Sequence, residues 1–343
     1  MRAILFAAIA LCVMKLSTAA QAQPEPDFYR GKTVRIVIPT AVGGSYGVFG
    51  QLVSRHLGRF ISGQPAMVMT AMPGAGGLVA LNHMANIAPH DGTVISVIQV
   101  TLVLDSLFNK DAKFDARDFK WIGRMDSLAF VGLASRRSGI KNLADARKRE
   151  VVAGSPGLNN VPAQTPLLLN RLAGTRFKLI SGYNGIGQAF LAVERGEVDF
   201  AVSSVAGIES ILSEQVKNGD LVPIVAQSTK RIPAYPDVPV LGEFANTEVE
   251  KAFLKVFSLT ADIGRALAAT PGVPEDRMTI LRDAFQKMIA DREFQADASK
   301  IGLDLNPMNA DELAGLVRDA VNMSPQLRDQ VSKFYEDVLE GKK

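Results

Sequence analysis

Thr33-Val34-Arg35-Ile36-Val37-Ile38-Pro39, then Gly43-Gly44-Ser45-Tyr46-Gly47, is the stretch whose reading decides the fold. A β-branched run stops at a proline and opens into a glycine loop. Behind the loop, Val48, Phe49, Leu52, Val53, His56, Leu57 and Phe60 recur at three- and four-residue spacing, one face of a helix. The scheme then repeats. Ala66–Met69 reads as a strand, Pro73-Gly74-Ala75-Gly76-Gly77 as a second glycine loop, and Leu78, Leu81, Met84, Ala85 and Ile87 as a second helix face. Asp91-Gly92 is a turn, and Thr93–Val100 reads as a third strand. Strands alternating with helices at this length predict an α/β fold with a mostly parallel sheet. Ligands in such sheets sit outside the carboxyl ends of the strands, where both loops fall. Glycine lets backbone approach a ligand closely, and a helix start offers unpaired N–H groups to an anion. One such loop alone is as well read as an ordinary turn; two in succession favour a ligand site.

Residues 1–22 read as a signal peptide: Arg2, a short apolar run Ala3–Leu11, and Ala20-Gln21-Ala22 as a small-residue cleavage site. Export to the periplasm is the expectation. The single cysteine, Cys12, lies inside that leader, so the mature chain is expected to hold no disulfide, and Leu11 before Cys12 argues against a lipid anchor. Without Arg2 and Lys15, 36 basic residues face 35 acidic ones, a balance near +1. That balance argues against nucleic acid and against a polybasic membrane surface. The length suits about two domains.

Farther along, Trp121–Arg124 and Leu128–Ala134 read as strands around a break at Asp126-Ser127, taken as the first crossing between domains. A second series follows: strand Val151–Ala153, loop Gly154-Ser155-Pro156-Gly157, helix Val161–Leu172, strand Phe177–Ile180, loop Ser181-Gly182-Tyr183-Asn184-Gly185, helix Gln188–Arg195. Strand Val198–Val202 is followed by Ser203-Ser204 and a helix over Ile208–Val216; Leu221–Ala226 is a further strand. The proline-rich Ile232–Pro239 reads as the return to the first domain, and the remainder as helical. Asn309 with Glu312 forms a capping-box pattern, and Ser324-Pro325 opens a last helix with Leu327, Val331, Phe334, Tyr335 and Leu339 on its buried face.

Gly43-Gly44-Ser45-Tyr46-Gly47 also matches the G-x-S-x-G nucleophile elbow between a strand and a helix. The elbow needs a late histidine, and His56, His83 and His90 all come soon after Ser45, which weighs against a hydrolase. Pro156 lacks the N–H that would serve an oxyanion after Ser155, so Ser155 reads as a hydroxyl donor to a ligand or, failing that, as a turn residue. Tyr46 and Tyr183 sit inside glycine loops, as packed aromatics or as a wall for an organic ligand. No zinc-type ligand set and no phosphate-loop pattern is present, so neither a metal nor a nucleotide cofactor is expected.

Taken together and in order, several short motifs resemble the extracytoplasmic solute-binding proteins of tripartite tricarboxylate transporters, the Bug or TctC-type receptors. They are Tyr29-Arg30-Gly31-Lys32, the Gly43-Gly44 loop, Pro73–Gly77, Pro89-His90-Asp91-Gly92-Thr93, Gly182-Tyr183 with Gly185, Gly196-Glu197-Val198-Asp199, Asp237-Val238-Pro239, and Pro271-Gly272-Val273-Pro274 with Asp291. The resemblance implies a type II periplasmic-binding-protein fold, with residues 23–126 and 228–343 in one lobe, 127–227 in the other, and a ligand cleft between them. It implies a small organic acid as ligand, a di-, tri- or aromatic carboxylate, with a two-subunit membrane permease as partner, and a monomeric, non-enzymatic receptor. Carried over by position, the first lobe would contribute Gly44, Ser45, Tyr46, Gly74, Ala75, Gly76 and Thr101. The second would contribute Ser155, Gly157, Tyr183, Gly185, Ser203 and Ser204. Two departures stand out: Gly47 where the family often has Asp, and Ala71 where it often has Asn. Both take polar groups from the site's edge. Two other outputs stay open at this point, a loaded receptor that signals to a sensor kinase and a serine hydrolase using Ser45.

Overall fold

A computed structural model of the chain describes residues 28–43, 45–157, 160–183, 185–303 and 305–341. The expected signal peptide and Gly44 lie outside the described residues. The first half runs β1 (Thr33–Ile38), α1 (Ser45–His56), β2 (Ala66–Ala71), α2 (Leu78–Asn86), β3 (Val94–Val97), α3 (Leu102–Phe108) and β4 (Lys120–Arg124). Next come β5 (Phe130–Ser135), α4 (Leu143–Lys148), β6 (Val151–Ser155), α5 (Val161–Ala173), β7 (Phe177–Ser181), α6 (Ile186–Arg195) and β8 (Phe200–Ser204). A broken helix follows: α7 (Val205–Gly207), a π turn over Ile208–Leu212, and α8 (Ser213–Lys217). The chain closes with β9 (Leu221–Gln227), α9 (Glu248–Ile263), β10 (Ala266–Ala269), α10 (Glu275–Ala290), α11 (Arg292–Lys300), β11 (Met308–Asn309), α12 (Ala310–Val321) and α13 (Pro325–Leu339).

Two mixed sheets result. The first has the order β11-β4-β10-β3-β1-β2, the second β7-β6-β8-β5-β9. In the first, β1, β2 and β3 are parallel, and β10 runs antiparallel between β3 and β4. In the second, β6, β7 and β8 are parallel, and β5 runs antiparallel between β8 and β9. Each reversed strand is the first the chain forms after crossing from the other sheet. The same order on both sides of two crossings is the type II periplasmic-binding-protein arrangement.

That topology also sets where the loops meet. β4 points the same way as β1, so it leaves its sheet at the edge where the glycine loops lie. Only Met125–Ala129 intervenes before Phe130, which pairs with Ser204 at the carboxyl end of β8. The loop edges of the two sheets therefore face each other across a span of five residues. Gly264, at φ +47, turns α9 into β10 here; a Cβ on it would stand 2.1 Å from the Asp126 carbonyl oxygen. Only glycine fits.

Among the described residues, three apolar clusters hold the layers. One underlies the first sheet, from Ile36 and Leu57 to Phe285 and Phe294. Another covers one face of the second sheet, around Leu133, Phe190 and Ile208. The largest is shared, running from Val37 and Leu102 through Phe253, Phe257 and Phe334 to Leu168 and Phe200. α13 packs on α9, α3 and α5, so it belongs to the side on which the lobes are joined by continuous core.

Several expectations are corrected. The region after Pro239 is not all helical: β10 sits in the centre of the first sheet and β11 at its edge. β10 reads Ala-Leu-Ala-Ala, buried on both faces, with no alternation and with helix-favouring residues. β3 ends at Val97, and Ser203 and Ser204 are the last residues of β8 instead of a following loop. On α13, Val331, Phe334 and Val338 are buried, while Leu339 is exposed.

Candidate functional site

In the first loop, β1 ends at Ile38 and α1 begins at Ser45. Tyr46, in the first turn, is buried in the core, and its hydroxyl accepts the Val100 N–H at 3.2 Å. The guanidinium of Arg265 lies 5.0 Å from the Tyr46 ring centre and 4.4 Å from that of Phe49. Burial pushes the Tyr46 phenol up, against the pull of Arg265 and of the Val100 N–H. Burial likewise lowers Arg265, which the Tyr46 hydroxyl and the Asp126 charge oppose. The first glycine loop is thus backed by a buried cation stacked on two aromatic rings.

Gly47 explains one departure from the family pattern. A Cβ there would stand 1.8 Å from the Val42 carbonyl oxygen, so the chain reverses too tightly for any side chain. Ala71 is the last residue of β2 and pairs with Ile38.

The second loop is built on left-handed backbone: Gly74, Ala75, Gly76 and Gly77 have φ of 143°, 45°, 66° and 101°. Ala75 pays a steric cost that glycine avoids. Gln99, just past β3, donates Nε2 to the Gly76 carbonyl at 2.5 Å. Thr101 caps the same edge; its hydroxyl donates to Asp105 Oδ2 at 2.7 Å. Ala75, Gly76 and Thr101 come together on one cavity of about 360 Å³, which Gln164 and Tyr335 also line.

In the second lobe Ser155 is fully buried. Its hydroxyl lies 2.9 Å from the Gly157 carbonyl oxygen and 3.1 Å from Asn160 Oδ1, and Asn160 accepts the Ala163 N–H to cap α5. Gly157 is half-buried beside it. Tyr183 is half-buried, its ring edge 3.2 Å from where a Cβ on Gly154 would be, and Gly185 is exposed with φ 91° and open space around it. Ser203 is buried. Ser204 accepts the Gly207 N–H at 3.1 Å and lines a separate cavity of about 260 Å³ with Asp126, Ser127 and Asn306 at the crossing. The backbone of Ser45 opens α1.

Two residues at this edge were not singled out from the sequence, Arg265 and Gln99. Arg265 lies in the Gly264-Arg265 step before β10, and only recognition of that alanine strand would have placed it.

His56 takes no part in a nucleophile relay. It is buried on the far end of α1, with Nε2 3.1 Å from Asp297 and Nδ1 3.2 Å from an Arg59 nitrogen. Among the described residues, His56, Asp291 and Glu293 form a group close enough to grip an ion. Arg59 donates to Asp291 and Glu293 as well, so a guanidinium already fills that space.

Residues 46–332 match the family model described as the tripartite tricarboxylate transporter family receptor. A UPF0065 protein of Bordetella bronchiseptica is 26% identical over 321 residues, covering 92% of this chain and 86% of its own length. A TctC solute-binding protein from Polaromonas superposes with a TM-score of 0.67 at 17% identity, covering 89% of this chain and 99% of that one. An R. palustris protein solved with adipate superposes at 0.60 and 15% identity, covering 88% and 97%. At these identities the solved structures establish the fold.

Proposed function

The chain belongs to the tripartite tricarboxylate transporter receptor family and is a solute-binding protein, not an enzyme; on that premise we propose that it is exported and captures a small organic acid between its lobes. The bound acid would be handed to a two-subunit membrane permease, with the receptor acting as a monomer. The observation that carries this reading is the meeting of the two loop edges across Met125–Ala129. It puts the glycine loops and helix starts of the two sheets on edges joined by that five-residue link. Backbone N–H groups there suit a carboxylate without a salt bridge to an exposed side chain. The adipate-bound relative supports the ligand class. Among the described residues no helix is long and apolar enough to cross a membrane.

A thermal-shift screen of the exported chain against mono-, di- and tricarboxylates tests the proposal. An acid at about a hundred times its Kd adds roughly 2.7 kcal/mol, several degrees in Tm. A screen that stays flat after unfolding and refolding to strip any carried-over ligand would contradict it, as would ester turnover abolished by Ser45→Ala.

A further inference from the structure

We propose that the cavity beside the second glycine loop is a distal subsite for the uncharged, hydrogen-bonding end of a monocarboxylic acid, such as an amide or hydroxyl, and that Asp105 turns away a second carboxylate. This rests on the receptor reading above and adds the class of acid to it.

The cavity, about 360 Å³, is of small-ligand size. Both lobes build it. Ala75, Gly76 and Thr101 come from the loop edge of the first sheet, and Gln164 from the first turns of α5. An acid whose carboxylate sits on the glycine loops would send its other end here.

The polar groups at this end are specific. Asp105 accepts from the Thr101 hydroxyl at 2.7 Å and from Asn109 Nδ2 at 3.2 Å. Both donors are neutral, so the carboxylate's charge is not offset by a bonded cation. Burial pushes its titration up, against those two hydrogen bonds. Tyr335 accepts from Gln164 Nε2 at 2.7 Å, which leaves its own O–H to give to a ligand. Burial first, and then the Asp105 charge, push the Tyr335 phenol up to about 12, so the two groups share one space. At the exposed mouth Lys110 and Asp111 carry opposite charges and offset each other. Leu104 and Phe108 supply the apolar wall.

A carboxylate entering this end would face Asp105 in a partly desolvated space, where like charges disfavour each other. An amide or hydroxyl meets no such conflict, since it donates to Asp105 and accepts from Tyr335 in the same pose. The arrangement selects by rejection as much as by attraction.

The test is calorimetric titration of the full exported protein at pH 8, with adipate against adipate monoamide and succinate against succinate monoamide. The monoamide of the better-fitting length should bind at least about tenfold tighter than its dicarboxylate, and Asp105→Asn should shrink that ratio to within about threefold by improving the dicarboxylate. Tyr335→Phe, which keeps the ring, should weaken the monoamide and leave the dicarboxylate unchanged. Circular dichroism and Tm of both variants confirm folding. A dicarboxylate that equals or beats its monoamide, or a ratio unmoved by Asp105→Asn, overturns the subsite while leaving the receptor reading intact. Failure of every acid in the broader screen sinks both.

Discussion

The glycine loops of the two lobes occupy equivalent places in equivalent sheets, yet different forces brace them. In the first lobe the braces are large side chains brought from far along the chain. Arg265 stacks on Tyr46 and Phe49, Tyr46 reaches Val100, and Gln99 holds the Gly76 carbonyl. In the second lobe they are short and local: Ser155 with Gly157 and Asn160, and Ser204 with Gly207. Strand order decides where the loop edge falls. It leaves open whether that edge is stiffened from behind or capped from within.

The contrast can be broken at matched positions. Gly47→Ala forces a Cβ against the Val42 carbonyl and should cost on the order of 4 kcal/mol, read by urea denaturation. Arg265→Met removes a buried cation from two rings and from the neighbourhood of Asp126, and should cost about 3 kcal/mol. A loss below about 1 kcal/mol would mean that the first loop needs no brace from behind. Gly185→Ala meets open space, but its backbone at φ 91°, ψ 167° is a conformation essentially confined to glycine, and the strain should cost about 1–3 kcal/mol. Ser155→Ala breaks only local bonds and should cost roughly 1–2 kcal/mol, with its effect confined to the second lobe in hydrogen exchange.

The smallest effect is a pH dependence. Burial raises the folded-state titration of Asp105 above its unfolded value near 4. The folded state then holds the proton more tightly, so this residue's contribution to stability falls as pH rises from about 4 through its folded value. Asp105→Asn abolishes that term, and its stability relative to wild type should improve steadily across the same window. A difference that stays flat with pH would show that Asp105 is not strained by burial.

The helix caps were legible because they are local. Asn309 three residues before Glu312, and Ser324 before Pro325, are short-range patterns, and each caps its helix where the spacing placed it; the Ser155 hydroxyl, read as facing a ligand, instead meets Gly157 and Asn160 close by in the chain. The β-branched run Val34–Ile38 likewise became the buried β1. The first lobe's bracing was not legible, because its partners meet only after β10 has entered the sheet. Four residues of Ala-Leu-Ala-Ala carry no period that distinguishes a central strand from a helix turn. Tyr46 shows the same limit: within a glycine loop it reads equally as ligand wall or core, and its burial comes from Arg265, which the local sequence does not announce. The pairing of Gln164 with Tyr335 joins α5 to α13 across 171 positions of sequence, and no spacing rule reaches that far.

The most direct test of the central claim combines calorimetry with small-angle X-ray scattering on residues 23–343, using the acid that the thermal screen selects. One acid should bind per chain, the radius of gyration should fall on saturation, and Gly76→Ala and Gly185→Ala, each with open space for a Cβ, should both weaken binding if the acid is held from both lobes. An acid that binds without compaction and is indifferent to either glycine would contradict capture between the lobes.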